Sequence, residues 1–436
     1  MALHNPAIAQ PSPKGSGKYI LIIGAFFFIF GFITWINATL IPYLRIACEL
    51  EEWQAYLVTF AFYISYTVMA LPSSWLLQKT GMVKGMSAGL GVMAIGCLMF
   101  IPAALLRSYG LFLAGLFLLG VGLTLLQTAV NPYITLLGPP EKAAQRISIM
   151  GICNKTAGIL APLIMGSIIL KNASGLIKEL ESMNVFAKAE RLNQLSHAVI
   201  VPYCILAAIL LLIGVLIRFA HLPEIVPTEP VAAKASPEQS SSSVNNIYVL
   251  GFTAIFFAVG AEVLAGDTIG NYGLYHGLDL DVSKSLGSYT LGCMMAGYIF
   301  GTIAIPRFIS QQKAFYYATW LGFLMTLFII FVPGKASIVC VAALGLGNAL
   351  LWVAIWPQAL DTLKGKQLAR GSAILIMGIA GGALLPLMYG LLGKYINNQN
   401  AYCILIPGYL FLIYYSALGR RRQRLYAIST AKTAQA

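Results

Sequence analysis

The chain has 436 residues, of which 58% are hydrophobic and only 10% are charged, and its formal net charge is +13. A composition this apolar excludes an ordinary soluble globular domain. The seven cysteines are dispersed and lie mostly within apolar stretches, which predicts neither a disulfide framework nor a metal site.

Apolar runs of about 20 residues, each long enough to cross about 30 Å of hydrocarbon as a helix, recur along the whole chain. These runs lack strict alternation of polar and apolar residues, so we predict helices and not a β-barrel. The predicted fold is an all-α membrane protein with twelve transmembrane helices, at residues 19–44, 54–77, 82–105, 109–136, 147–170, 196–219, 247–275, 286–306, 314–332, 336–360, 371–393 and 400–419.

The basic residues are distributed unevenly among the segments that connect these runs. If the amino terminus is cytoplasmic, the cytoplasmic segments carry most of the Lys and Arg residues, which is the positive-inside pattern of membrane proteins. A cluster of four arginines then follows the last helix on the cytoplasmic side: Arg420, Arg421, Arg422 and Arg424. We therefore predict that both termini are cytoplasmic and that the basic charge reflects membrane topology, not nucleic-acid binding.

A break in composition divides the twelve helices six and six. Residues 221–246 contain four prolines and the run Ser240–Ser243, which is typical of a flexible linker. The predicted organisation is a cytoplasmic tail (1–18), an N-terminal six-helix half (19–220), a cytoplasmic linker (221–246), a C-terminal six-helix half (247–419) and a basic cytoplasmic tail (420–436). A short surface helix is predicted within the charged loop 171–195.

The two halves also resemble each other in sequence. Leu119–Tyr133 aligns without a gap to Leu344–Gln358, with two glycines and a proline at matching positions, and a second match follows in the next segment. Two repeats of six helices are a transporter architecture in which the substrate binds between the halves near the middle of the bilayer. Chance similarity between apolar, glycine-rich helices is the alternative.

Polar and aromatic side chains occur in the matching segments. Gln127 and Asn131 are one helical turn apart, and their counterparts in the repeat are Trp352 and Trp356, with Asn348 one turn earlier. Sugars suit this combination, because amides hydrogen-bond hydroxyl groups and an indole face covers the C–H surface of the ring. Interhelical hydrogen bonds and a belt of interfacial tryptophans are the structural alternatives. The remaining buried polar candidates are Asn37, Asn154 and Gln358.

Only three charged residues fall inside the apolar runs: Lys155, Glu262 and Asp267. An ionisable group at membrane depth is costly and is therefore a candidate for ion coupling or substrate binding. Glu262 and Asp267 lie in the glycine-rich segment Gly260–Tyr272, where the helix is expected to bend or unwind. The two acids could take up H⁺ or hold Na⁺, or Glu262 could form a static ion pair with Lys155. Alternatively, Lys155 snorkels to the cytoplasmic surface and Asp267 is a hydrated residue of the outer rim.

Five segments together carry a family resemblance: Phe30–Leu44, Phe60–Gly81, Leu125–Pro139, Gly347–Gly365 and Gly371–Gly390. On these motifs the chain resembles the fucose–galactose–glucose/proton symporter family of the major facilitator superfamily. The resemblance implies sugar binding by Asn131, Asn154 and the Asn348/Trp352 region. The fucose symporter has acids tied to proton coupling where this chain has Ala38 and Gln127, which is more similar to the branch that handles glucose, galactose or N-acetylglucosamine.

We therefore predict a secondary active transporter that takes up a hexose-type sugar across the inner membrane by alternating access, coupled to H⁺ or Na⁺. An uncoupled sugar facilitator is the alternative, because the two family acids are absent. A membrane-embedded transferase is a remote alternative, since the four histidines lie in tails or at segment ends without a partner pattern.

We thus expect no enzymatic activity, and no cofactor or metal besides the co-transported ion. The expected partners are a monosaccharide and the lipid bilayer, with no nucleic acid, and the expected state is a monomer. The sequence leaves open the identity of the sugar, the coupling ion and the resting conformation.

Overall fold

In the computed structural model, described over residues 16–136, 143–171, 173–219, 241–305, 307–360 and 365–435, the regular elements are helices. Those of the N-terminal half are α1 (Ser16–Trp35), α2 (Asn37–Ala47), α3 (Glu52–Ala55), α4 (Leu57–Thr80), α5 (Met82–Leu98), α6 (Phe100–Leu105), α7 (Tyr109–Leu136), α8 (Ala143–Ile169), α9 (Ala173–Ser182), α10 (Val185–His197) and α11 (Ile200–Phe219).

The C-terminal half is built in the same way from shorter pieces. Its α-helices are α12 (Ser241–Asp267), α13 (Ile269–Tyr275), α14 (Leu280–Ser283), α15 (Leu286–Ala304), α16 (Gln311–Phe331), α17 (Ala336–Asn348), α18 (Leu351–Leu360), α19 (Gly365–Met377), α20 (Gly381–Ile396) and α21 (Leu405–Gln435). Two short 3₁₀ helices, Gly378–Ala380 and Asn400–Ile404, precede α20 and α21.

Within the described ranges, 11 helical segments are long and apolar enough to cross a membrane. The eighth predicted run, 286–306, is not among them. It forms the 19-residue helix α15, whose glycines and hydroxyl side chains lower its hydropathy. An all-helical membrane protein is thus established, whereas the count of twelve and the cytoplasmic position of the termini stay predictions.

Parts of the predicted tails and linker fall outside the described residues. This applies to residues 1–15 of the N-terminal tail and 221–240 of the linker. The last six residues predicted for the linker, 241–246, are already helical because α12 begins at Ser241. The charged loop after the fifth run contains two helices, α9 and α10, where one was predicted.

The two halves meet through helices that the sequence repeat relates to each other. Helix α4 packs against α20, and α8 packs against α15. The repeat matches the second run (α4) with the eighth (α15), and the fifth (α8) with the eleventh (α20). Exchanging the halves therefore interchanges the two contacts, as expected for repeats related by a two-fold axis.

A glycine permits the closest helix crossing in each half. A Cβ atom on Gly31 of α1 would overlap the backbone oxygen of Asn154 on α8, and one on Gly381 of α20 would overlap the backbone oxygen of Phe256 on α12. Small residues let membrane helices approach until their backbones touch, which replaces the hydrophobic driving force that is missing in lipid. The first and seventh runs are thereby held in equivalent positions.

Both of these runs are interrupted at one residue, whose backbone stays in the right-handed helical region. The first breaks at Ile36, between α1 and α2, and the seventh at Thr268, between α12 and α13. The break in the seventh run was predicted from its glycines. Discontinuous helices are common where a membrane protein binds a solute, because the interruption directs side chains and backbone groups toward a cavity. Asn37 and Asp267 lie directly beside the two breaks.

Candidate functional site

A buried ion pair joins the two halves near the middle of the helices. The ammonium of Lys155 on α8 donates to Oε1 of Glu262 on α12 at 2.5 Å, and the two side chains are only 6% and 17% exposed. The Lys155 nitrogen also lies 4.8 Å from the centre of the Trp35 ring. Lys155 therefore does not snorkel to the surface, because an acid and an indole face from other helices hold its charge in the interior.

Asp267 lies in a drier environment, five residues further along the same run. It is 1% exposed, and its Oδ2 accepts a hydrogen bond of 2.9 Å from the hydroxyl of Thr59 on α4. Its other oxygen, Oδ1, has no hydrogen-bond partner. The interpretation of Asp267 as a hydrated residue of the outer rim is wrong, because α4 of the opposite half covers the carboxylate.

Further contacts between the halves follow in the same direction along the helices. Asn271 donates to the hydroxyl of Tyr56 at 3.3 Å, and beyond it Asn398 donates to Glu52 at 2.7 Å. At the surface Lys394 pairs with Glu51 at 3.0 Å. We call this part of the molecule the closed end, defined by residues 51–59, 267–276 and 390–398. Polar contacts between the halves seal it from Asp267 to the surface.

His276 terminates the seventh run at the closed end. Its Nε2 lies 3.2 Å from the hydroxyl oxygen of Ser337, and its ring packs edge-on against that of Tyr272 at 4.6 Å. Burial lowers the pKa of His276, because desolvation disfavours the imidazolium. The fold therefore favours the neutral form of this ring over the charged form.

The predicted amides of the N-terminal half lie on α7, on the side away from the closed end. Gln127 donates to the hydroxyl of Tyr66 on α4 at 3.1 Å, and Asn131 follows one turn later. Both amides are only partly buried. This leaves hydrogen-bonding capacity for a solute.

Their counterparts in the other half form an aromatic platform. The rings of Trp352 and Trp356 on α18 are stacked, with centroids 5.3 Å apart and planes inclined by 26°. Both indoles are partly buried. Asn348 is different, because it ends α17 as a buried residue and its Oδ1 accepts from the hydroxyl of Tyr409 at 2.7 Å. The structure therefore places Asn348 in a hydrogen bond within its own half, and the two tryptophans on one shared face.

The remaining candidates are dispersed. Asn37 is fully buried and neither of its side-chain polar atoms has a partner. Asn154 donates to the backbone oxygen of Phe27 at 3.3 Å, and Gln358 donates to that of Tyr415 at 3.0 Å, so both amides make interhelical hydrogen bonds. No group of three or more His, Cys, Asp or Glu side chains able to hold a metal ion is present in the described part of the chain.

Several residues that complete this arrangement were not singled out from the sequence. Trp35 and Thr59 contact the two interior charges Lys155 and Asp267, and Tyr66 binds Gln127. Trp35 stands two residues before Asn37 within the first family motif, which is the one signal that could have identified it. Thr59 gives no signal, because a membrane-helix threonine most often bonds its own helix backbone.

Comparisons with known proteins show the family to which the chain belongs. A family model described as Major Facilitator Superfamily matches residues 22–386. The chain belongs to the Major Facilitator Superfamily. This superfamily member is 32% identical over 422 residues to the glucose/galactose transporter of Brucella abortus biovar 1 (strain 9-941), covering 96% of this chain and 98% of the relative. It is 27% identical over 412 residues to the L-fucose-proton symporter of Escherichia coli (strain K12), covering 91% and 92%.

A solved structure shares the fold. A crystal structure of the E. coli fucose:proton symporter superposes with a TM-score of 0.71 at 23% sequence identity, covering 93% of this chain and 99% of that chain. The relatives confirm the family resemblance drawn from the motifs. The chain is thus a multi-pass membrane protein of a superfamily and fold whose members are transporters, not enzymes.

Proposed function

We propose that this Major Facilitator Superfamily protein takes up a hexose-type sugar across the inner membrane by alternating access, driven by a gradient of H⁺ or Na⁺. The observation that carries the proposal is the pair Lys155–Glu262, whose members belong to different halves and meet in the interior. A charge pair across the line along which the halves separate is expected to change when they rock. A protein whose two halves stay fixed has no functional requirement for a charge pair between them.

The substrate class rests on the pairing of amides with indoles. Gln127 and Asn131 supply donors and acceptors for hydroxyl groups, and the stacked rings of Trp352 and Trp356 offer an aromatic face. The relatives named as glucose/galactose and L-fucose transporters favour a monosaccharide. We infer glucose or galactose as the substrate, with N-acetylglucosamine as the competing candidate.

The predicted topology identifies the closed end as the outer face. With the N-terminus in the cytoplasm, the first and seventh runs both point outward, so Asp267 and His276 lie toward the outside. The described conformation is then closed to the outside. Glu52 and Asn398, one from each half, would separate when the transporter opens outward.

Uptake into proteoliposomes tests the function. Purified protein is reconstituted, and accumulation of labelled glucose is followed under an inward H⁺ gradient and, separately, an inward Na⁺ gradient. We expect accumulation above equilibrium under one of them. Equilibration without accumulation under either gradient would show an uncoupled facilitator, and no sugar flux of any kind would refute the proposal.

A competition panel then assigns the sugar. Unlabelled glucose, galactose, fucose and N-acetylglucosamine are added in excess to labelled glucose, and the sugar that inhibits at the lowest concentration is the preferred substrate.

A cross-linking experiment tests alternating access. It uses the double variant Glu52→Cys/Asn398→Cys in a background without the native cysteines. Cross-linking it holds the closed end together, so uptake should stop and should return on reduction.

A further inference from the structure

We propose that Asp267 is the proton carrier of this transporter. In the closed-end conformation it holds one proton between the halves, and the pair Lys155–Glu262 is an internally compensated charge pair that carries no ion. This inference rests on the proposed sugar transport and names its coupling ion. It also assigns different roles to the two acids of the seventh run, with proton binding at Asp267 and a fixed ion pair at Glu262.

The surroundings of Asp267 do not support an anion. The carboxylate is 1% exposed and receives a single hydrogen bond, from the neutral hydroxyl of Thr59, while Oδ1 has no partner. Buried carboxylates that stay ionised are paired with a cation or accept several hydrogen bonds.

The cations on neighbouring elements are engaged elsewhere. Lys155 is bound to Glu262, Arg45 on α2 lies 3.9 Å from Glu52, and Lys284 before α15 lies 2.7 Å from Asp281. Within the described ranges Asp267 forms no ion pair. A neutral, protonated carboxyl group therefore fits the site, whereas an ionised one does not.

The other titratable groups around Asp267 are neutral at physiological pH. Tyr63 on α4 is near enough to interact electrostatically with both Asp267 and Glu262. Tyr56 accepts a hydrogen bond from Asn271, and Tyr272 shares one with Ser337. The ring of Tyr389 packs against those of Tyr56 and Tyr402, and Tyr402 also packs against Tyr272. His276 ends the run. None of these groups pairs with Asp267, since the tyrosines are uncharged and the ring of His276 contacts Ser337 and Tyr272 instead.

A second orphan acceptor completes the site. Asn271 lies four residues after Asp267, is 2% exposed, and uses its amide nitrogen for Tyr56, so that its Oδ1 is left without a donor. Residues four apart lie on one face of a helix. A proton on Oδ1 of Asp267 would turn this unpartnered acceptor into a donor on the face that Asn271 shares.

This arrangement couples protonation to closure. Thr59 and Tyr56 belong to the N-terminal half, whereas Asp267 and Asn271 belong to the C-terminal half, so the site is sealed when the closed end forms and hydrated when it opens. Closing over an ionised carboxylate is strongly disfavoured. A proton from the outer solution must therefore bind Oδ1 before closure, and symport requires Asp267 to release this proton to the inner solution while the closed end stays shut.

The test replaces the acid by its neutral isostere. Asp267→Asn, Asp279→Asn and wild type are compared in proteoliposomes for sugar-dependent alkalinisation of the external medium and for accumulation under a pH gradient. Asp279 is the control, because it is an exposed acid on the loop after the same run. We expect Asp267→Asn to lose both signals by at least tenfold while still exchanging labelled for unlabelled sugar, and Asp279→Asn to match wild type.

A second variant leaves the acid in place. Thr59→Val removes the hydroxyl that stabilises the ionised form, so the pH at which uptake is half-maximal should rise by about one unit, the size expected for loss of a hydrogen bond to a charged group. Proton-driven accumulation by Asp267→Asn, an unshifted pH profile in Thr59→Val, or accumulation driven by Na⁺ alone would each overturn the inference. If wild type itself shows no sugar flux, the proposed function fails instead.

Discussion

The pair Lys155–Glu262 offers the sharpest quantitative test of the structure. Glu262→Leu leaves the ammonium of Lys155 buried without its acid, and breaking a buried pair in this way costs about 3–5 kcal/mol of the free energy of unfolding. The Trp35 ring at 4.8 Å offsets part of this loss, about 0.5–2 kcal/mol. We therefore expect Glu262→Leu to destabilise the protein by roughly 1–4.5 kcal/mol.

The double variant decides whether the two residues act as a pair. Lys155→Met/Glu262→Leu replaces both charges by apolar groups of similar volume, which is often neutral or stabilising for buried pairs. We expect the double variant to lie within about 1 kcal/mol of wild type, so that the coupling energy of the cycle exceeds about 2 kcal/mol.

The assay is unfolding in detergent micelles titrated with dodecyl sulfate, followed by circular dichroism, for wild type, both single variants and the double variant. The control cycle uses Arg191 and Glu179, whose ion pair is 39% and 42% exposed. Its coupling energy should stay below about 1 kcal/mol. Additive losses in the Lys155/Glu262 cycle would refute the argument that the interior holds these charges only as a pair.

Three further predictions follow from other contacts. Trp352→Ala removes the stack with Trp356 and should raise the KM for sugar about 3- to 10-fold in initial-rate uptake, and an unchanged KM would exclude the platform from binding. Gly390→Leu places a side chain into the Tyr56 ring, so the closed end should fail to form and uptake should fall at least tenfold while sugar still protects the purified protein against heating. Because burial lowers the pKa of His276, the stability that comes from packing the neutral ring is complete above its ordinary pKa of 6.5 and is lost as the pH falls through the lowered value. His276→Gln should therefore make the melting temperature less dependent on pH between about pH 7 and pH 5, the range around the ordinary histidine pKa. A melting temperature that falls as steeply with pH as in wild type would contradict this.

Much of the architecture follows from local sequence. Apolar runs of sufficient length specify membrane helices because the bilayer leaves no other way to satisfy the backbone, and the glycines of the seventh run indicated the break now seen at Thr268. The sequence predicts the eighth run as a helix although its hydropathy is low, and it forms α15. The match of Leu119–Tyr133 with Leu344–Gln358 predicts a division into two six-helix repeats.

The site was only partly predictable. Helical spacing placed Trp352 and Trp356 on one face, since residues four apart share a face in any α-helix. The same reasoning could not show that Asn348 is occupied within its own half, because its partner Tyr409 lies on a helix more than sixty residues later in the chain. Contacts of this kind depend on how helices are arranged around each other, which periodicity does not encode.

The sequence by itself determined that three charges fall within apolar runs, where their cost is a property of the bilayer and not of the fold. Only the tertiary structure decided their different environments. Lys155 and Glu262, 107 positions apart, neutralise each other where α8 meets α12. Asp267 is covered by Thr59, 208 positions away, and is left without a counter-charge. The electrostatic state of a buried group is set by its neighbours in space, and here those neighbours come from the opposite half of the molecule.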